Sequence, residues 1–253
     1  MRLSVRTVRA MGYILLVVVG VLWAAPTLWL LVTSLKEEGK ILSLPPRWLP
    51  SPATLENYRQ LLSAYPVMRW TLNSLIVAVL ATAVTLVIDI FVGYALARME
   101  FKGKTIVLAL AISTILFPVH ITVVPLYIML AKIGLLNTYL ALIIPITVNG
   151  FGVFLLRQFF VTIPKEIEES ALIDGCSSFG ILTKILLPLA KPALTTAGIF
   201  IFMWTWNDFL WPLIVASDEA SMTLPVGLAM FMPASQVLGQ VPRYGMSMAG
   251  ALW

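Results

Sequence analysis

The chain has 253 residues, 60% of them hydrophobic and 11% charged, with a formal net charge of +5. Soluble domains are about one quarter charged, so this composition, with a mean hydropathy of +0.95, excludes a soluble globular protein. The positive excess, with no basic stripe interleaved with aromatics, fits basic loops beside a membrane and excludes a nucleic-acid surface, while one cysteine, Cys176, and one histidine, His120, exclude an internal disulfide and a His/Cys zinc cluster.

In chain order, residues 11–34 are the first stretch long and apolar enough to cross a hydrocarbon core. Arg2, Arg6 and Arg9 precede it as they would a signal peptide, but the apolar run continues through Pro26 to Val32, too long for an h-region. It reads as a retained helix. Residues 35–71, with Pro45, Pro46, Pro50, Pro52 and Pro66, read as a draped segment containing a short helix near 55–63. Further spans are predicted over 72–97, 105–130, 139–156 and 193–216, with only Asp89 and Asp208 as charges inside them. Pro118, Pro125 and Pro145, with Asn149-Gly150, break the regularity of the third and fourth. Residues 217–243 hold Pro225, Pro233 and Pro242, and residues 244–253 begin an apolar run too short to cross. The fold class is therefore an all-α membrane protein. It is a polytopic helical bundle, one transmembrane domain over 1–253, with five full spans and the start of a sixth.

The loops 1–10, 98–104 and 157–192 hold ten Lys/Arg, and the longer set 35–71, 131–138 and 217–243 holds seven. The positive-inside rule then places the N-terminus in the cytoplasm of a multi-pass chain surrounded by membrane lipid.

Residues 157–192 form the long hydrophilic stretch on that side. Pro164 suits the first turn of a helix, and Glu166, Glu168 and Glu169 lie near its positive dipole end. Asp174-Gly175 stops this helix through a left-handed cap. Ser177 or Ser178 caps a second short helix through Lys184 and Leu186, which Pro188 ends. Helix, glycine elbow and helix make a docking knob at the membrane surface. The competing reading is an amphipathic helix resting on lipid, which three glutamates in one turn oppose where the lipid is anionic.

The spacing in this loop resembles the EAA loop of ABC importer permeases: Glu-x-Ala, a Gly six residues after the Glu, and Ile-x-Leu-Pro beginning ten residues after the Gly. Here these are Glu169-Ser170-Ala171, Gly175, and Ile185-Leu186-Leu187-Pro188, with Ser170 replacing the usual first Ala. The resemblance covers nearly the whole chain and points to the MalG-like permease subunits of carbohydrate ABC importers. It is carried in the first outer loop by Thr33-Ser34-Leu35-Lys36, Pro45-Pro46-Arg47-Trp48 and Leu55-Glu56-Asn57-Tyr58. Asn73-Ser74 and Tyr94-Ala95-Leu96-Ala97-Arg98 bracket the second span, and Pro125-Leu126-Tyr127 and Leu135-Leu136-Asn137-Thr138 follow. Trp206-Asn207-Asp208-Phe209-Leu210-Trp211-Pro212 and Thr223-Leu224-Pro225-Val226-Gly227-Leu228 complete the set.

The resemblance implies an inner-membrane protein of a prokaryote that pairs with a second permease subunit as a heterodimer to form the pore. Two ATP-binding subunits, holding ATP and Mg, dock on the EAA loops, and an extracytoplasmic sugar-binding protein delivers the substrate. The chain itself then has no cofactor, no metal and no catalytic residue, and is not an enzyme. Glu169 would pair with a basic residue of the ATPase, Ala171 and Gly175 would let backbones approach, and Ser170, Asp174, Ile185, Leu187 and Pro188 would complete the coupling surface. Tyr244 to Trp253 resembles the opening of the family's sixth span, so about 20–30 further residues are expected beyond Trp253. An ATP-independent secondary transporter or channel, and an ABC permease for a non-sugar solute, are the competing functions.

Several residues are candidates for a substrate pathway. Asp208 and Asn207, beside Trp206, are residue types that bind sugars by hydroxyl pairing and ring stacking, although they also hold helices together. Asp89, about 12 Å into the second span at 1.5 Å per residue, is expected to face the bundle and pair with a hydroxyl or amide. His120 and Asn149 are read either as pathway contacts or as hydrogen-bonded packing residues. Gly103-Lys104-Thr105 lacks the earlier glycine of a P-loop, because Arg98 stands there, and reads as a basic turn. Cys176 reads as a small residue beside the elbow.

Overall fold

The structure is a computed structural model and describes residues 5–45, 47–230 and 243–253; Arg2, Pro46, Pro233 and Pro242 lie outside them. The described residues form helices and no strand. They divide into two compact units, Met1–Met68 with Gly227–Trp253, and Arg69–Val226.

In the first unit, α1 (Val5–Ser34) is followed by α2 (Glu38–Ile41) and α3 (Glu56–Ala64), the short helix expected in the outer segment. Helix α15 (Tyr244–Ala251) packs on α1, α2 and α3. The last carbonyls of α1 have no intrahelical donor. The buried Asn57 amide supplies one, donating to Ser34 O at 2.8 Å and Lys36 O at 2.7 Å. Ser34 Oγ and Tyr58 OH lie 2.9 Å apart, so two of the motif tetrapeptides meet here. Gly245 allows the close approach, because a Cβ there would fall 2.5 Å from Asn57 Nδ2; its N–H donates to Glu38 Oε2 at 2.9 Å.

The second unit continues α4 (Val67–Arg98), then α5 (Lys104–Leu116), a 3-10 turn at Val119–Ile121 and α6 (Val123–Lys132). Next come α7 (Tyr139–Ile143), a 3-10 turn at Ile144–Thr147 and α8 (Gly150–Thr162). The loop helices are α9 (Lys165–Ile173), α10 (Ser178–Ile181) and, after a π turn at Leu182–Leu186, α11 (Leu187–Leu189). The chain then forms α12 (Lys191–Trp206), α13 (Leu210–Val215) and α14 (Leu224–Ala229).

Two helices are long and apolar enough to cross a membrane uninterrupted, Met11–Ser34 and Val67–Arg98, and counting each bent pair as one span raises the number to four. The other predicted stretches are broken for local reasons. Phe117 takes an extended ψ of 127°, as a residue before proline must, and this parts α5 from α6. Asn149 is extended and caps α8, accepting from Phe151 N and Gly152 N, so Tyr139–Thr147 meets Gly150–Thr162 at 43°. The predicted 193–216 helix stops at Trp206 and resumes at Leu210.

Residues 217–224 are tied down by side chains from other segments. Asn73 Nδ2 donates to Ala220 O and Met222 O and its Oδ1 accepts from Tyr139 OH at 2.7 Å, while Ser74 Oγ accepts from Leu224 N. Asn137, in the left-handed region at φ 60°, accepts from the Ser217 and Asp218 amides. Two apolar clusters fill this unit. One gathers Val77, Ala81, Leu142, Trp211 and Val215, and the other gathers Leu156, Phe160, Ala171, Ile181, Leu186 and Ala193.

Helices α4 and α8 run parallel. Asp89 meets Gly152, Gly93 meets Leu156 and Arg157, the Tyr94 ring is edge-on to Phe160 at 6.3 Å, and Arg98 reaches Ile163. Glycines at 93 and 152 set the close spacing; at 93 a Cβ would stand 3.2 Å from Leu156 Cβ.

Candidate functional site

The 157–192 loop folds as a helix, an elbow and a second helix. Pro164 is the N-cap residue of α9 rather than its first helical residue, with ψ 136°, and Ile163 before it is extended as proline demands. Glu166 and Glu168 lie in the first turn of α9. The helix ends in a Schellman motif: Cys176 N donates to Ala171 O at 2.9 Å and Gly175 N to Leu172 O at 3.0 Å, with Gly175 at φ 82°. Nothing lies within 4 Å of a Cβ built at Gly175, so within this chain its requirement is backbone conformation and not close approach. Ser177 Oγ then caps α10, accepting from Gly180 N at 3.2 Å.

Pro188 does not end the second helix. Leu187 N donates to Leu182 O, five residues back, and this widened turn takes up the proline ring that would otherwise clash with the preceding turn. The helical run ends instead at Ala190, and Ser178–Leu189 meets Lys191–Trp206 at 78°.

The EAA residues separate into an anchored and an outward set. Ala171 is buried in the apolar cluster with Leu156, Phe160 and Leu186, which a larger side chain would overfill. Ile185 and Leu187 pack partly against the same cluster. Glu169, Ser170, Asp174, Gly175 and Pro188 are exposed. Ser170 donates back to Glu166 O at 2.8 Å, so its position imposes no packing limit in this chain. Beside Glu169 the exposed apolar side chains Leu172, Ile173 and Phe179 crowd the elbow, Ile173 at 87% exposure.

Glu168, which the sequence presents only as one of three glutamates, takes an internal role. Its Oε1 lies 2.5 Å from Arg98 Nε at the end of α4, with the two side chains 13% and 7% exposed. Arg98 Nη2 also donates to Ile163 O at 2.6 Å. Glu at the start of a helix and Arg at the end of a span are each visible in sequence, but nothing local joins them.

The pathway candidates fall at helix breaks or in the bundle. His120 is exposed in the 3-10 turn after Pro118. Trp206 stacks on Phe202 at 5.9 Å. Exposed Asn207 donates to Met203 O at 2.7 Å. Asp208 stands two residues ahead of α13, with the backbone N–H groups of Phe209, Leu210 and Trp211 near its carboxylate. Asn149 is committed to capping α8. Asp89 is fully buried, and the expected hydroxyl or amide partner is missing: neither oxygen has a hydrogen-bond partner among the described residues. Its neighbour is a glycine, Gly152, which has no side chain to offer. No hydrogen bond joins any two of these six residues among those described. Gly103-Lys104-Thr105 is a tight turn, with Gly103 at φ 90° before α5.

Comparison with known proteins places this architecture. The family described as "Binding-protein-dependent transport system inner membrane component" matches residues 89–252. The sulfoquinovosyl glycerol transport system permease protein SmoH of Agrobacterium fabrum is 40% identical over 208 residues, 81% of this chain and 73% of that protein. The diacetylchitobiose uptake system permease protein NgcG of Streptomyces coelicolor is 34% identical over 236 residues, 92% of this chain and 78% of that protein. A crystal structure of a bacterial ABC transporter involved in the import of the acidic polysaccharide alginate has the same fold, with a TM-score of 0.84 and 22% identity over 100% of this chain and 94% of that one. The EAA loop at 169–188 is typical of these membrane-embedded transport permeases, and the chain belongs to the binding-protein-dependent transport system inner membrane component family of ABC transporters.

Proposed function

We propose that this chain is one permease subunit of an ATP-driven importer for a sugar or closely similar solute, forming half of the translocation pathway. The observation that carries the coupling role is the loop geometry: Ala171 locks α9 into the bundle while Glu169, Ile173 and Phe179 project from it. A rigid, partly apolar knob with an outward carboxylate suits a cleft on an ATP-binding subunit. ATP and Mg belong to that subunit, and the chain hydrolyses nothing. A second permease subunit and an extracytoplasmic sugar-binding protein complete the assembly. The sugar class follows relatives whose names specify sulfoquinovosyl glycerol and diacetylchitobiose.

The orientation follows the basic loops, with the N-terminus and the 157–192 loop in the cytoplasm. The five full spans and the start of a sixth are then α1, α4, the broken α5–α6, α7–α8 and α12–α13 segments, and α15. For substrate contact the best-placed residues are His120, Trp206, Asn207 and Asp208, because helix breaks free polar groups that line cavities in transport proteins. Asn149 and Asp89 contribute by shaping the helices behind them.

The test is to purify the complex with its binding protein and measure which solute stimulates ATP hydrolysis. Stimulation by a sugar is expected. Stimulation by an amino acid and by no sugar would overturn the substrate class, and uptake by this protein alone in liposomes without ATP would overturn the importer.

A further inference from the structure

We propose that the Arg98–Glu168 ion pair is the strut that carries movement of α9 into α4, which makes Arg98 a positioning residue of the coupling apparatus. This rests on the reading of 157–192 as the ATPase-docking loop. Consecutive residues on a helix point about 100° apart, and the two glutamates use that separation: Glu169 is exposed, while Glu168 turns inward to Arg98.

Arg98 bridges a joint. Between α8 and α9 stand only Ile163 and Pro164, both extended, a pair that alone would let α9 swing. The Arg98 guanidinium donates to the Ile163 carbonyl on one side of that joint and pairs with Glu168 on the other. One fork of fixed geometry therefore clamps the end of α8 and the first turn of α9 to the end of α4. Above it the α4–α8 seam is closed by Tyr94 against Phe160 and by Gly93 against Leu156, so a displacement of α9 has a stiff route into the long helix.

The chemistry fits geometry better than stability. Two charges removed from water repay little more than their desolvation, and an apolar pair of similar volume would hold the joint as firmly. What Arg98 adds is direction, through one charge-assisted hydrogen bond to Ile163 O and a close charge pair with Glu168.

The test uses the whole complex with its ATP-binding subunits in lipid. Hydrogen exchange of 165–173 and of the 90–98 end of α4 is followed before and after ATP with vanadate. In the unmodified complex ATP is expected to alter both segments. With Glu168→Gln the response of 165–173 persists while that of 90–98 falls about threefold or more, the scale of substitutions along coupled elements. The exchanged pair Arg98→Glu with Glu168→Arg restores it. Co-purified ATP-binding subunit, measured on the same samples, separates lost assembly from lost transmission. If Glu168→Gln does not assemble, the exchanged pair decides: restoration supports the strut, and none overturns it. An undiminished 90–98 response in assembled Glu168→Gln complex also overturns it, leaving the docking reading intact. ATP-binding subunits that bind equally well after residues 165–176 are replaced by a Gly/Ser linker would overturn both.

Discussion

The Asp89 carboxylate occupies the space in which a side chain at residue 152 would stand: a Cβ on Gly152 would fall 1.8 Å from Asp89 Oδ2. The contact lies in the C-terminal third of α4, and it joins the acid's position to the neighbouring helix's composition. A long apolar helix admits a buried polar group only where a partner or space receives it, and here Gly152 leaves the space without offering a hydrogen bond.

Gly152→Ala should therefore act through Asp89. The added methyl must displace either the carboxylate or α8, an overpacking cost of about 1–3 kcal/mol. Thermal unfolding of the purified complex should fall for Gly152→Ala and recover when Asp89→Ala is added, since the double variant vacates the space the methyl needs. Additive losses would show that the two residues do not share it.

At the elbow, the cost of substitution should follow backbone conformation. Gly175 is left-handed with open space around it, so Ala carries a penalty of about 1–2 kcal/mol without a clash, and Asn, which tolerates that conformation, carries less. The amount of ATP-binding subunit recovered with the permease should rank Gly, Asn, Ala, Val. Equal recovery for Val and Gly would contradict the Schellman cap as the source of the knob's shape.

Adjacent residues of the EAA segment should respond oppositely to size. Ser170→Ala removes only a back-bond to Glu166 O at an exposed site and should change stability by no more than about 0.5 kcal/mol. Ala171→Leu forces a larger side chain into a filled cluster and should cost about 1–3 kcal/mol. Thermal unfolding of the two single variants gives the comparison directly.

In the first unit, Asn57→Ala leaves Ser34 O and Lys36 O without their donor. A buried acceptor left unpaired costs about 1–3 kcal/mol, and the loosened α1–α3 junction should show as faster proteolysis within residues 35–55. Ser63→Ala, on the exposed side of α3, serves as the control and should leave the rate unchanged.

Much of this was legible from local chemistry. Glycine in the left-handed region, serine as a cap and the extended residue before Pro118 or Pro164 act within a few residues, so the elbow and several breaks follow from spacing alone. Pro188 misleads because its usual effect is cancelled by a π turn whose bond closes five residues back. Asp208 was legible as a polar residue in a span, but its place just ahead of a new helix requires the break at Asn207 that the apolar run conceals.

The sequence by itself determined a membrane-embedded, all-helical permease with a helix–glycine–helix EAA loop, because hydrophobic runs, caps and motif spacings are properties of neighbouring residues. Only the tertiary structure decided which glutamate turns inward to Arg98, which face of α9 stays free, and that Asp89 meets a glycine in place of a hydroxyl. Those outcomes depend on the register in which α4 and α8 pack, and a register between helices far apart in the chain is set by side-chain fit along the whole seam, which no local pattern records.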